Sequence, residues 1–119
     1  MTVEKMRAII WTAYGPPEVL QLQEIEKPTP KDNEVLIRVR AATVTAGDTE
    51  MRKLKLPYSL GLPVRLYAGL RRPTRIKILG QELSVVIEAL GRDVTRFKEG
   101  DEVFGTTGFA FGSYAEYNC

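Results

Sequence analysis

Apolar and polar positions alternate most clearly over 34–44 (EVLIRVRAATV). There Val35, Ile37 and Val39 share one face, and Arg38 and Arg40 point the other way. The same two-residue period runs through 19–25 (VLQLQEI), with Leu20 and Leu22 opposed to Gln21 and Gln23, and predicts a half-buried strand. Residues 6–12 (MRAIIWT) form an apolar, β-prone run that predicts a buried strand. Tyr14-Gly15-Pro16-Pro17 stops it, because proline cannot donate to a ladder. Pro28 and Pro30 end the second strand, and Asp32-Asn33 turns the chain. Further along, 82–90 (ELSVVIEAL) reads as a strand through Val85-Val86-Ile87. Lys98-Glu99-Gly100-Asp101 is a turn before Glu102-Val103-Phe104, and 113–117 (SYAEY) alternates again.

Helical signals are sparse. A short helix is predicted from about Asp48 to Lys55, capped by Asp48 or by Gly47, with Asp48 and Arg52 spaced i,i+4 in the favourable order. Residues 56–76 contain Pro57, Gly61, Pro63, Gly69 and Pro73. They read as a long loop, with at most one helical turn near 62–70, and loops of that length inside a compact domain are usually functional or mobile. About six strands, one short helix and no second helical period predict a small, mainly β, barrel-like domain.

Composition narrows the function classes. At 119 residues the chain is one domain, large enough to bury a core without staples. One cysteine excludes an internal disulfide, and the absence of histidine excludes Ser-His and Cys-His catalysis within the chain and leaves a poor ligand set for zinc. No apolar run reaches membrane-spanning length and the N-terminus is too polar for a signal peptide, so the expected setting is cytoplasmic, with no membrane partner. The net charge of +2 hides an asymmetry: eight basic residues and no acid lie between Met51 and Gln81, leaving nine basic residues against all fifteen acids elsewhere. This basic stretch can attract an anionic cofactor or substrate, bind nucleic acid, or form a solvated loop against another domain or subunit. With only Tyr58 and Tyr67 as aromatics to stack, nucleic acid is the least favoured of the three.

Three segments together resemble one family: 35–52 (VLIRVRAATVTAGDTEMR), 79–105 (LGQELSVVIEALGRDVTRFKEGDEVFG) and 112–117 (GSYAEY). They are similar to the N-terminal GroES-like domain of the medium-chain dehydrogenases/reductases, in particular the zinc-free quinone oxidoreductase and enone reductase branch. The resemblance implies a partly open β-barrel with one short helix and a long basic loop. It implies a substrate-side domain over residues 1–119, followed in a longer protein by a Rossmann domain that binds NADPH or NADH and by a completing C-terminal segment. The chain by itself is then expected to be inactive, with open strand edges that favour self-association, and a homodimer is an open possibility.

The resemblance also assigns residues. Zinc members carry a Cys before the short helix and a Gly-His-Glu before the later strand; here the two places read Thr45-Ala46-Gly47-Asp48 and Gly80-Gln81-Glu82, so no metal is expected. The zinc-free branch often reads Asn-x-x-Asp-x-x-x-Arg where this chain has Thr45, Asp48 and Arg52, with Thr in place of Asn. Thr45, Asp48 and Gln81 become the candidate catalytic residues, Thr45 and Ala46 the candidates beside the nicotinamide, and Tyr58 and Arg52 the candidates for substrate. Against this stands a purely structural reading, in which Asp48 caps the helix and pairs with Arg52, and Tyr58 and Tyr67 only pack their rings. Gly105-Thr106-Thr107-Gly108 lacks the dinucleotide spacing and reads as a permissive turn, and Cys119 as an incidental thiol. Two functions follow. One is a reductase domain acting on a quinone, an enone or a similar carbonyl compound. The other is a non-catalytic β-barrel binding module that uses the basic loop 52–77.

Overall fold

The computed structural model describes residues 4–54 and 58–119, with the side chains of 58–60 and 109 outside the description. Strand β1 (Lys5–Trp11) pairs antiparallel with β2 (Leu20–Glu26) from Lys5↔Glu26 to Trp11↔Leu20. A second sheet has the order β5-β4-β3-β6, built from β3 (Val35–Ala42), β4 (Glu82–Leu90), β5 (Glu102–Thr106) and the short β6 (Tyr117–Asn118). The segment 114–118 joins the two sheets. On one side Ile9 N donates to Tyr114 O (2.8 Å) and Glu116 N to Arg7 O (3.1 Å); on the other, Val39 N donates to Glu116 O (2.8 Å). The result is a curved β layer whose outer strands, β2 and β5, have no further partner among the described residues. This is the partly open barrel that the strand pattern and the resemblance predict. Two register shifts in β3, between Leu36 and Ile37 and between Val39 and Ala41, bend the layer.

One end of the layer is closed by irregular chain and helix around a core of Trp11, Ala68, Ile76, Leu79 and Phe111. Trp11 is wholly buried and meets Tyr14 edge-to-face at 5.1 Å; its backbone N–H donates to Lys77 O at 2.7 Å, while the indole N–H has no partner among the described residues. Helix α1 (Ala46–Lys53) lies where the sequence places it, but its cap is Thr45 rather than Asp48 or Gly47. Thr45 is the last extended residue and carries the hydroxyl that reaches back into the first turn.

Two expectations are corrected. Residues 58–68 form a second helix, α2 (Tyr58–Ala68), in place of a loop with one turn. Gly61 and Pro63 argue against it locally, but tertiary contacts win. Ala68 is fully buried, the Arg65 guanidinium lies over the Tyr14 ring at 4.5 Å, and Arg75 donates to Leu66 O at the helix end. Strand β2 is not half-buried as its alternation predicts: Leu22 is 65% exposed, because β2 pairs only with β1.

Candidate functional site

Thr45 sits between β3 and α1 and forms a reciprocal capping box. Its Oγ1 accepts from Asp48 N (3.1 Å), and Asp48 Oδ2 accepts from Thr45 N (3.0 Å). Asp48 is 2% exposed, and Oδ2 takes a second donor, the Tyr114 hydroxyl, at 2.8 Å, while Oδ1 has no partner. The cap uses Thr45 Oγ1 only as an acceptor, so its hydroxyl proton has no acceptor among the described residues. Gln81 faces it. The Gln81 amide nitrogen donates to Gly108 O (2.9 Å), which fixes which end of the amide is presented. A side chain at Gly47 would place its Cβ 3.6 Å from both Gln81 Oε1 and Thr45 Oγ1, so the glycine leaves a cradle with a hydroxyl on one side and an amide oxygen on the other.

This cradle opens onto a cleft of about 680 Å³ between the helices, within the range of small-molecule pockets. Its walls are Met51 and Leu54 from α1, Pro63, Val64 and Tyr67 from α2, and Phe111, with Gly47, Glu50 and Gln81 as the polar edge. Leu54 (φ 49°) and Phe111 (φ 58°) are the two non-glycine residues with left-handed backbone among those described, and both line this cleft. Such strain persists where surrounding structure holds it, and it clusters at ligand sites.

The structure therefore brings Thr45, Gly47, Asp48 and Gln81 together. Arg52 does not pair with Asp48; its Nε donates to Gly15 O (3.1 Å), and its own carbonyl accepts from Gly15 N (3.0 Å), fastening α1 to the turn after β1. The Tyr58 side chain lies outside the described residues. Tyr67 contributes to the cleft wall. No group of three metal-ligating side chains occurs among the described residues.

Sequence reasoning missed Tyr114, although it lies within the 112–117 segment that carries part of the resemblance. Burial, then its hydrogen bond to Asp48, raises its phenol far above the ordinary value of 10.0, and burial also raises Tyr14. The neutral phenol is thus the native form. Its contribution to stability is fully present below pH about 10, the unfolded value, and is lost as pH rises toward the folded one. Titrating stability upward from pH 9 should show a decline that Tyr114→Phe, which keeps the ring and has no proton to lose, makes shallower. An identical alkaline slope in both proteins would refute the assignment.

An open β layer joined edge to edge, with a short helix after its third strand, fits the partly open GroES-like fold that the resemblance implies. Residues 31–119 match the family described as "Alcohol dehydrogenase GroES-like domain". The chain is 42% identical over 119 residues to a quinone oxidoreductase of Lama guanicoe, covering 94% of this chain and 30% of that protein. It is 39% identical over 113 residues to the Homo sapiens quinone oxidoreductase, with the same coverage. Among solved structures it is similar to the Coxiella burnetii quinone oxidoreductase, with a TM-score of 0.75, 32% identity, and 96% of this chain on 34% of that one. The Escherichia coli quinone oxidoreductase, solved complexed with NADPH, gives 0.70 and 27%, covering 94% of this chain and 30% of that one. This chain belongs to the GroES-like domain family of the medium-chain dehydrogenases/reductases. It spans about 30% of the length of the curated quinone oxidoreductases it matches.

Proposed function

We infer that this chain is the substrate-side domain of an NAD(P)H-dependent, zinc-independent reductase that delivers hydride to a quinone, an enone or a similar carbonyl compound. The observation that carries this reading is the cradle at Gly47, where the Thr45 hydroxyl and an oriented Gln81 amide lie on either side at the mouth of an apolar cleft. The likeness to an oxidoreductase solved with NADPH supports the cofactor class. The donor set supports the absence of zinc: a hydroxyl, an amide and one carboxylate already committed to two hydrogen bonds offer neither thiolate nor imidazole.

The nicotinamide, when bound with the rest of the protein, supplies the hydride. The chain's own residues hold the acceptor. Apolar cleft walls seat its ring and exclude water, and the Thr45 hydroxyl donates to the carbonyl oxygen as negative charge develops there. Solvent supplies the proton that completes the reduced product. Ala46, with Thr45, belongs to the nicotinamide side of this proposal, its backbone N–H having no partner among the described residues, and Gln81 Oε1 can only accept, so it faces a donor N–H or O–H and not the acceptor's carbonyl oxygen. Asp48 acts through Thr45 by fixing the cap. Arg52, the cation beside Asp48 and Tyr114, and Tyr58 belong to the substrate side of this proposal.

In the full-length protein, NADPH oxidation by a small quinone should proceed unchanged in EDTA. Thr45→Val should lower kcat by about 10- to 100-fold, with Thr45→Ser retaining most of it, since one preorganised donor is worth up to about 10²–10³. Loss of activity on chelation with recovery on zinc addition would overturn the metal assignment. Wild-type kcat in Thr45→Val would overturn the role of the hydroxyl.

A further inference from the structure

We propose that the outer face of α2 and the turn after it form a docking surface for an anionic lipid bilayer. Leu62 and Leu66 stand i,i+4 on α2 and are 50% and 54% exposed, and Leu70, just past the last turn, is 57% exposed. Hydrogen bonds place cations among them. Arg75 donates to Leu66 O, and Arg65 Nη1 donates to Leu70 O at 2.9 Å. Arg71 and Arg72 follow directly on a turn held by Thr74 N and Arg75 N, both donating to Ala68 O; both arginines are exposed, and neither side chain has an ion pair among the described residues. No acid occurs between Met51 and Gln81, so nothing within this stretch neutralises the patch.

A leucine stripe flanked by arginines is the chemistry of a helix lying in a membrane interface: the apolar side chains enter the acyl boundary while guanidinium groups meet lipid phosphates. Charge selects this occupant over others. A second copy docked through the same face would set arginines against arginines. A soluble polyanion would use the arginines but not the leucines. The other strongly exposed apolar residues lack this complement: Phe104 lies two residues from Glu102, and Val44 follows Thr43, whose hydroxyl donates to Glu82. The sequence excludes only a membrane-spanning segment, and no helix among the described residues is long and apolar enough to cross a bilayer. Docking on one leaflet is a property of the surface, visible once α2 is seen to be a helix. The opposite side of α2, through Pro63 and Val64, lines the apolar cleft, so a lipid-dissolved compound would meet the protein one helix away from it.

The test is flotation of the full-length protein with phosphatidylcholine vesicles, with or without a minority of phosphatidylglycerol. The expected result is salt-sensitive binding to the mixed vesicles and little to phosphatidylcholine alone. Leu62→Ser/Leu66→Ser/Leu70→Ser, which leaves charge untouched, should weaken that binding by about tenfold or more, and Arg71→Gln/Arg72→Gln should reduce both binding and its salt dependence. Circular dichroism of each variant should match wild type, because these side chains are largely exposed. No flotation with phosphatidylglycerol vesicles would overturn the proposal. So would full flotation of the triple-serine protein, which would mark a plain polyanion site; retention of that variant on heparin would then persist as well.

Discussion

Gly80→Ala should destabilise the protein by about 3–5 kcal/mol, whereas Gly100→Ala should cost about 1 kcal/mol. Both glycines have left-handed backbone, φ 101° and 89°. Any L side chain pays a similar conformational cost there, and the two positions differ only in what a Cβ meets. At Gly100 there is nothing within 4 Å. At Gly80 the Cβ would lie 1.9 Å from Ser113 Oγ and 2.7 Å from Tyr114 Cδ1. Neither neighbour can step aside. Ser113 is 1% exposed, and Tyr114 is held by its backbone N–H on Leu79 O and its hydroxyl on Asp48. The clash must then be relieved by separating 79–81 from 113–114, which breaks the bonds from Ser113 N to Gly80 O and from Tyr114 N to Leu79 O. Urea unfolding of both variants in the full-length protein reads the difference, with soluble yield as a second measure. Equal losses would mean that backbone conformation, and not the close approach of these two segments, is what requires glycine at 80.

The same junction shows where sequence reasoning reaches and where it stops. Strand β4 is legible because Val85 and Ile87 are buried on one face, and β3 because half-buried Val35, Ile37 and Val39 alternate with exposed Arg38 and Arg40, although buried Leu36 falls out of that phase beside the first register shift. Strand β2 carries the same period with no such burial: nothing in Leu22 itself reports that its strand lies at an edge. Helix α2 is illegible for the opposite reason. Pro63 and Gly61 are genuine local penalties, offset by a contact with Tyr14, which is distant in sequence, and by Arg75 just beyond the helix end.

The candidate site divides along the same line. Thr45 and Asp48, three residues apart, form a local motif, and the Thr-x-x-acid spacing of a capping box is visible in the chain. The resemblance adds Gln81, but the orientation of its amide depends on Gly108, and the cradle depends on Gly47. Tyr114 meets Asp48 across 66 residues, and no spacing rule connects them. Local chemistry thus names the atoms that can act, while long-range packing decides which of them face one another.

Asp48 tests this division, because its cap is local and its tyrosine contact is not. Asp48→Ala should cost about 2–4 kcal/mol: it removes the cap acceptor and leaves both the Thr45 N–H and the Tyr114 hydroxyl, each partly buried, without a partner. Asp48→Asn should cost only about 1 kcal/mol or less. The amide oxygen can take the place of Oδ2 and accept both donors, its NH₂ replaces an Oδ1 that has no partner, and the loss is mainly the charge favoured at a helix N-terminus. Equal destabilisation by the two variants would show that the negative charge, and not the pair of accepted hydrogen bonds, is what the site needs. A double-mutant cycle separates the long-range half of the interaction. Tyr114→Phe should cost about 1 kcal/mol in the wild-type background and close to nothing in Asp48→Ala, since the hydroxyl then has no acceptor left to lose. Additive costs would mean that the hydroxyl contributes through something other than Asp48. The Thr45 hydroxyl would then owe its orientation to the local cap, with no support from the 112–117 segment.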